Sequence, residues 1–245
     1  MIESMNQKFS LFKEEGQGLA EYGLLLTAVA LTAVGILSLL GMRVGDVMCQ
    51  AVEGLGADGV CDSTLFADDF SQSLDQWRSF YNRPDSWMIT DDDNPQLCHI
   101  GDGGDFLLAE NSTGNDYRIS TDANLDSGNG YGLLFRASEN ENGRLDGYTL
   151  QYDPGYGGGQ FIMRKWVNGY ELWPPFATAK PSEGFAWHDT DRQIKVDVQG
   201  DTFTAYVDGQ EVLVGEDDSY PFGEVGIRTW NSSDVCFDNF TVETR

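Results

Sequence analysis

Between Arg192 and Gly215 the sequence RQIKVDVQGDTFTAYVDGQEVLVG alternates apolar and polar residues. A period of two is what an extended chain needs to place one apolar face on a core. Ile194, Val196 and Val198 would share one face, and Phe203, Ala205 and Val207 the same face of a second strand. Asp208-Gly209 follows as a two-residue hairpin turn, because both residue types tolerate positive φ. FIMRKWVNGYELW repeats the design around Asn168-Gly169. From Thr64 onward such runs succeed one another with Gly, Asn and Asp between them, and no fixed-period repeat appears. The pattern predicts about a dozen short strands in an antiparallel β-sandwich with little helix.

Ahead of this block the periodicity changes. From Gly23 to Met42 there is no charge, and at about 1.5 Å per residue such a stretch spans about 30 Å of hydrocarbon as a helix. The expected fold class is therefore mainly β, with a single N-terminal hydrophobic α-helix before the sandwich. Lys8 and Lys13 precede the run and favour a cytoplasmic amino terminus. The cysteines Cys49, Cys61, Cys98 and Cys236 all follow it, so an oxidising compartment and two disulfides are expected. Cys49 with Cys61 and Cys98 with Cys236 is the favoured arrangement, with the other two pairings open. The net charge of -25 argues against nucleic acid or an anionic membrane surface as a partner.

EEGQGLAEYGLLL, at the start of the apolar run, resembles the processing region of Flp-type (tight-adherence) type IV pilins. The resemblance implies prepilin-peptidase cleavage between Gly16 and Gln17. It also implies filament assembly through Gln17, Glu21 and Tyr22, the new amine of one subunit meeting the Glu21 carboxylate of the next. Four segments follow from it: a leader (1–16), an assembly helix (17–52), a Gly-rich linker (53–63) and a head (64–245).

The head resembles concanavalin A-like, laminin-G-like jelly rolls in LFADDFSQSLDQW, YGLLFRASENENGRLDGYTLQYD and GEVGIRTWNSSDVCFDNFTVE. In related laminarinase-like jelly rolls an aspartate opening the last strand helps hold a structural calcium. Asp238 stands at the matching place, and Asp68 and Asp69 would join it if the first and last strands pair. No cofactor is otherwise required. The Glu-x-Asp-x-x-Glu motif of the β-glucanase branch is absent, and neither His99 nor His188 has a nucleophile context, so no catalytic activity is expected.

Sugar rings stack on aromatic faces, and WVNGYELWPPF offers Trp166, Tyr170 and Trp173, with Tyr156 and Trp187 nearby in the sequence. The function expected from sequence is thus a pilin subunit displaying a lectin-like adhesive head. Its partners would be other pilin subunits, prepilin peptidase, the assembly machinery and surface glycans, and it would pass from the cytoplasmic membrane to an extracellular pilus. The alternative is a signal-anchored surface protein that binds or processes carbohydrate and does not polymerise.

Overall fold

The computed structural model describes residues 64–91, 93–99, 103–230 and 232–245. The expected leader, assembly helix, linker and Cys49–Cys61 disulfide lie outside these residues. In chain order the first strands are β1 (Thr64–Asp68), β2 (Trp77–Ser79), β3 (Trp87–Ile89), β4 (Leu97–His99), β5 (Phe106–Ala109), β6 (Tyr117–Ser127), β7 (Tyr131–Glu139) and β8 (Leu145–Asp153). They are followed by β9 (Gln160–Val167), β10 (Tyr170–Glu171), β11 (Ala177–Ala179), β12 (Asp191–Gln199), β13 (Thr202–Val207), β14 (Gln210–Glu216), β15 (Glu224–Thr229) and β16 (Asp234–Thr244). Among the described residues there is no α-helix, and no helix long and apolar enough to cross a membrane.

The strands form two antiparallel sheets. The first runs β14-β13-β12-β6-β16-β4-β3 with β1 also paired to β16, and the second runs β10-β9-β8-β7-β15-β5-β2 with β11 also paired to β9. Asp208 (φ 52) and Gly209 (φ 77) close the β13–β14 hairpin, and Asn168 (φ 51) and Gly169 (φ 79) close β9–β10. Positive φ at both turn residues matches the twist of the flanking strands, which is why Asn-Gly and Asp-Gly serve there.

The first sheet alternates as the sequence predicts. In β6, Tyr117, Ile119, Thr121, Ala123 and Leu125 are buried, while the residues between them are half-buried. The second sheet departs from this. Residues Tyr131–Ala137 of β7 and Gly147–Tyr152 of β8 are buried without a break. Their inward residues, including Tyr131, Leu133, Phe135, Tyr148, Leu150 and Tyr152, belong to the core between the sheets. The outward residues Leu134, Ala137 and Leu145 form a second apolar cluster with Phe106, Leu108 and Trp166. Side chains and loops cover the outer face of this sheet, as its continuous apolar runs require.

Two internal ties hold the ends of the sandwich. Arg136 is 2% exposed and donates to the carbonyl oxygens of Asn115, Tyr220 and Gly200, so one guanidinium joins three loops. Cys98 of β4 and Cys236 of β16 are directly opposed and form a disulfide across 138 residues of sequence. A bond closing so long a loop limits the unfolded ensemble, worth roughly 2–5 kcal/mol. A Cys98→Ser/Cys236→Ser variant should therefore lose stability of that order, read as a lower urea midpoint, with a steeper slope because the uncrosslinked unfolded chain exposes more surface.

Candidate functional site

The outer face of the second sheet holds a polar group that four strands assemble. Register places Arg228 of β15 opposite Gly132 of β7, which is opposite Gln151 of β8. Leu134, Thr149 and Arg164 form the next row. Glu171 of β10 pairs with Trp166 at the edge of β9. Gly132 leaves the middle of this face without a side chain, and a Cβ there would lie 2.7 Å from the Leu150 carbonyl oxygen. The result is a backbone strip, buried at Gly132, bordered by charged and polar side chains, and it is called the trough below.

Glu171 is the hub of the charged groups. Its Oε1 accepts from Gln151 Nε2 at 2.7 Å and from Arg228 Nη1, and its Oε2 lies 3.6 Å from Arg164 Nε. Gln151 Oε1 in turn accepts from Arg164 Nε at 3.2 Å. Arg228 lies against Trp166, Trp230 and Phe106, 4.6, 4.8 and 5.6 Å from the ring centres. Burial pulls its guanidinium below the usual arginine range, with Glu171 opposing. Arg164 stands 5.3 Å from the Tyr156 ring and 5.6 Å from that of Trp173. Among the described residues, Arg164 donates through Nε and Arg228 through Nη1.

Asp153, two residues beyond Gln151 on β8, completes the face. Its Oδ1 accepts from the backbone N–H groups of Gly155 and Tyr156. Burial raises its carboxyl above the usual range against those hydrogen bonds and the fields of Arg164 and Arg228. At one end Trp230 closes the trough: a Cβ on Gly130 (φ 117) would meet its ring at 3.0 Å. At the other end Tyr156 and Trp173 lie edge to face, 6.1 Å apart. Trp173 is 72% exposed.

The aromatic residues singled out from sequence thus divide. Tyr156 and Trp173 border the trough, and Tyr170 is exposed on the neighbouring β10. Trp166 is buried beneath, donating Nε1 to Thr149 Oγ1. Trp187 does not join them; it packs on Tyr152, Phe161 and Phe185 against the core between the sheets. Sequence reading missed Arg164, Arg228, Glu171, Gln151, Asp153, Gly132 and Trp230. The available signal was a charge inside an apolar strand, in FIMRKW and EVGIRTW, at the parity opposite to the core residues.

The three aspartates of the calcium expectation have these surroundings. Asp68 accepts from the Trp77 indole and the Phe70 N–H, Asp69 from the Ser71 N–H, and Asp238 from Asn94 and the Asn239 N–H. No group of three or more His, Cys, Asp or Glu side chains suited to a metal occurs among the described residues.

Comparison with known proteins gives the same region a relationship. The family described as 3-keto-alpha-glucoside-1,2-lyase-like domain matches residues 63–243. The levanase of Bacillus subtilis (strain 168) is 27% identical over 148 residues, which is 58% of this chain and 20% of the levanase, so the match spans about a fifth of that relative. Among solved structures, the carbohydrate binding module CBM66 from Bacillus subtilis superposes with a TM-score of 0.54 at 22% identity, over 69% of this chain and 96% of that one. The Bacillus licheniformis beta-glucanase gives 0.53 at 12%, over 74% and 97%. At these identities the structural likeness is one of fold.

These findings overturn the pilin reading. What they match is a carbohydrate-associated sandwich, and Gly16, Gln17, Glu21 and Tyr22 lie outside the described residues. The expected filament partners, peptidase, assembly machinery and route from membrane to pilus go with it.

Removing the acceptor at the hub tests the geometry. Glu171→Leu should destabilise the fold by roughly 1–3 kcal/mol, because the buried guanidinium of Arg228 loses its acceptor. Thermal unfolding of the variant measures it.

Proposed function

We propose, from the premise that the chain belongs to the 3-keto-alpha-glucoside-1,2-lyase-like domain family, that its sandwich binds carbohydrate along the trough over Gly132. The observation that carries this reading is the meeting of two arginines, a shared carboxylate and aromatic rings around a strip with no side chain. Sugar hydroxyls both donate and accept, so they need both kinds of partner within one sugar's reach. Arg164 and Arg228 supply N–H donors, and Asp153 and Glu171 supply acceptors. The apolar face of a sugar ring is served by Trp173 and Tyr156 at one end and Trp230 at the other. The name of the levanase relative makes levan the first ligand to test. The Cys98–Cys236 disulfide supports an oxidising, exported setting.

A second reading, catalysis, has one observation in its favour. Asp153 is a carboxylate of raised basicity beside two arginines. Eliminating the C1 substituent of a 3-keto-glucoside needs a base to take the proton on C2 and cations to hold the charge that develops on the C3 oxygen. Electrons from the broken C2–H bond form the C1–C2 double bond as the C1 alkoxide leaves. Glu171 is ill suited as the base, since Arg228 and Gln151 already occupy Oε1.

Calorimetry with levan separates the readings. Trp173→Ala and Arg228→Leu should each weaken binding at least tenfold, equivalent to about 1.4 kcal/mol, with polymer length unchanged. Unaltered affinity in both variants overturns the binding site. Release of an alcohol from a 3-keto-glucoside, lost in Asp153→Asn, would favour the lyase.

A further inference from the structure

The row of residues that holds Arg228 continues past it to an exposed ring. Phe106 of β5 lies opposite Arg228 of β15, and the chain leaving β2 runs beside it, with Phe80 N donating to the Phe106 carbonyl at 2.8 Å. The Tyr81 ring comes next, its centre 5.3 Å from that of Phe106 and 5.5 Å from that of Phe80. Although these two rings support it, Tyr81 remains 44% exposed. Partial burial raises its phenol above the usual tyrosine range, and the charge of Arg228 is the foremost influence opposing that rise. Tyr81 and Arg228 therefore share one face of the sheet.

The backbone around Tyr81 is tied down. Tyr81 N donates to Asp105 Oδ1 at 3.2 Å, and Asp105, itself 1% exposed, also accepts from Ser79 Oγ and Trp87 Nε1. Asn82 N donates to the Ser79 carbonyl at 3.3 Å and Arg83 N to Ser79 Oγ at 2.7 Å, which closes the turn that presents the ring. A platform held in this way loses little freedom when a ligand settles on it. Trp173 stands on the other side of the charged centre, against Arg164 of β9. Between β9 and β5 lie β8, β7 and β15, so at ~4.8 Å per strand the two aromatic platforms are separated by roughly 19 Å. One sugar ring cannot touch both, whereas a short chain laid across the strands can.

We infer that Tyr81 is a second stacking subsite, and that the ligand is an oligosaccharide laid across the strands from Trp173 past Arg228 to Tyr81. The inference deepens the carbohydrate-binding reading above and rests on it. Tyrosine suits such an outer platform, because its ring offers an apolar face to a sugar and its hydroxyl can both donate and accept. Chain length then becomes a determinant of affinity. A disaccharide engages one platform, and only a longer chain reaches the second.

Calorimetry on the full chain with levan oligosaccharides of two and about six units tests this. In the parent the longer ligand should bind at least tenfold more tightly, a difference of about 1.4 kcal/mol. Tyr81→Leu, which keeps an apolar side chain against Phe106 but removes the ring, should weaken the longer ligand at least fivefold and leave the shorter within about twofold. Tyr81→Phe should keep the preference for length. Equal affinity for both lengths in the parent, or parent-like binding of the longer ligand by Tyr81→Leu, overturns the inference. So does an equal loss for both lengths in Tyr81→Leu, which would make the ring a support for Arg228 and not a contact for sugar. In the parent labelled with 3-fluorotyrosine, the Tyr81 signal, assigned by its absence in Tyr81→Phe, should shift when the longer ligand binds; a signal unmoved by bound ligand overturns the inference even if Tyr81→Leu does not fold. Absence of binding at both lengths in the parent overturns the carbohydrate reading and this inference with it, whereas binding that ignores length overturns this inference alone.

Discussion

The second sheet has no open face at its centre, and the architecture around it follows from that constraint. β7 and β8 carry apolar residues at both parities, so burying one set between the sheets leaves Leu134, Ala137 and Leu145 facing outward. These are covered by Phe106, Leu108 and Trp166, and above them the segments after β8, β10 and β15 bring in Tyr156, Trp173 and Trp230. A half-buried surface of this kind holds arginines only if their charge is answered. Glu171 answers Arg164 and Arg228 together. Apolar covering and charged network are two consequences of one packing problem.

How much of this was legible in the sequence depends on range. The hairpins around Asp208-Gly209 and Asn168-Gly169 are local events, readable from two residues and their flanks, and the alternation of β6, β12 and β13 states their inward faces directly. The site is different. Gly132, Gln151, Arg164 and Arg228 meet only because β15, β7, β8 and β9 are neighbours in a particular register. No spacing encodes that order. Aromatic content pointed to Trp173 and Tyr156 but could not separate them from Trp187, whose surroundings are decided by which side of the sheet its loop crosses. The pilin expectation came from the segment around Gly16–Tyr22, whereas the family relationship concerns residues 63–243.

Polar groups buried away from the trough show the same economy. The Asp105 carboxylate accepts from Ser79 Oγ at 2.5 Å, Tyr81 N at 3.2 Å and Trp87 Nε1 at 3.0 Å, joining β2 and its following turn to β3 in the opposite sheet. Asp217 accepts from Lys165 and Tyr148 and holds the chain between β14 and β15. Burial alone would raise its carboxyl, but those partners together with Ser219 bring it down to about 2. Such groups fix loops that apolar packing would leave adjustable, and both sit where a loop must stay in place for the outer face to keep its shape.

The antiparallel pairing of β1 with β16 also has a mechanical meaning. Thr64 lies opposite Glu243, so tension drawn between the two ends of the sandwich acts across the ladder at its outermost rung. Hydrogen bonds loaded in that direction give way singly, as in a zipper, whereas strands dragged lengthwise past each other would have to break them together. Pulled from these ends, the domain should peel open at low force from β1, with the Cys98–Cys236 link stopping the tear once β16 begins to separate from β4.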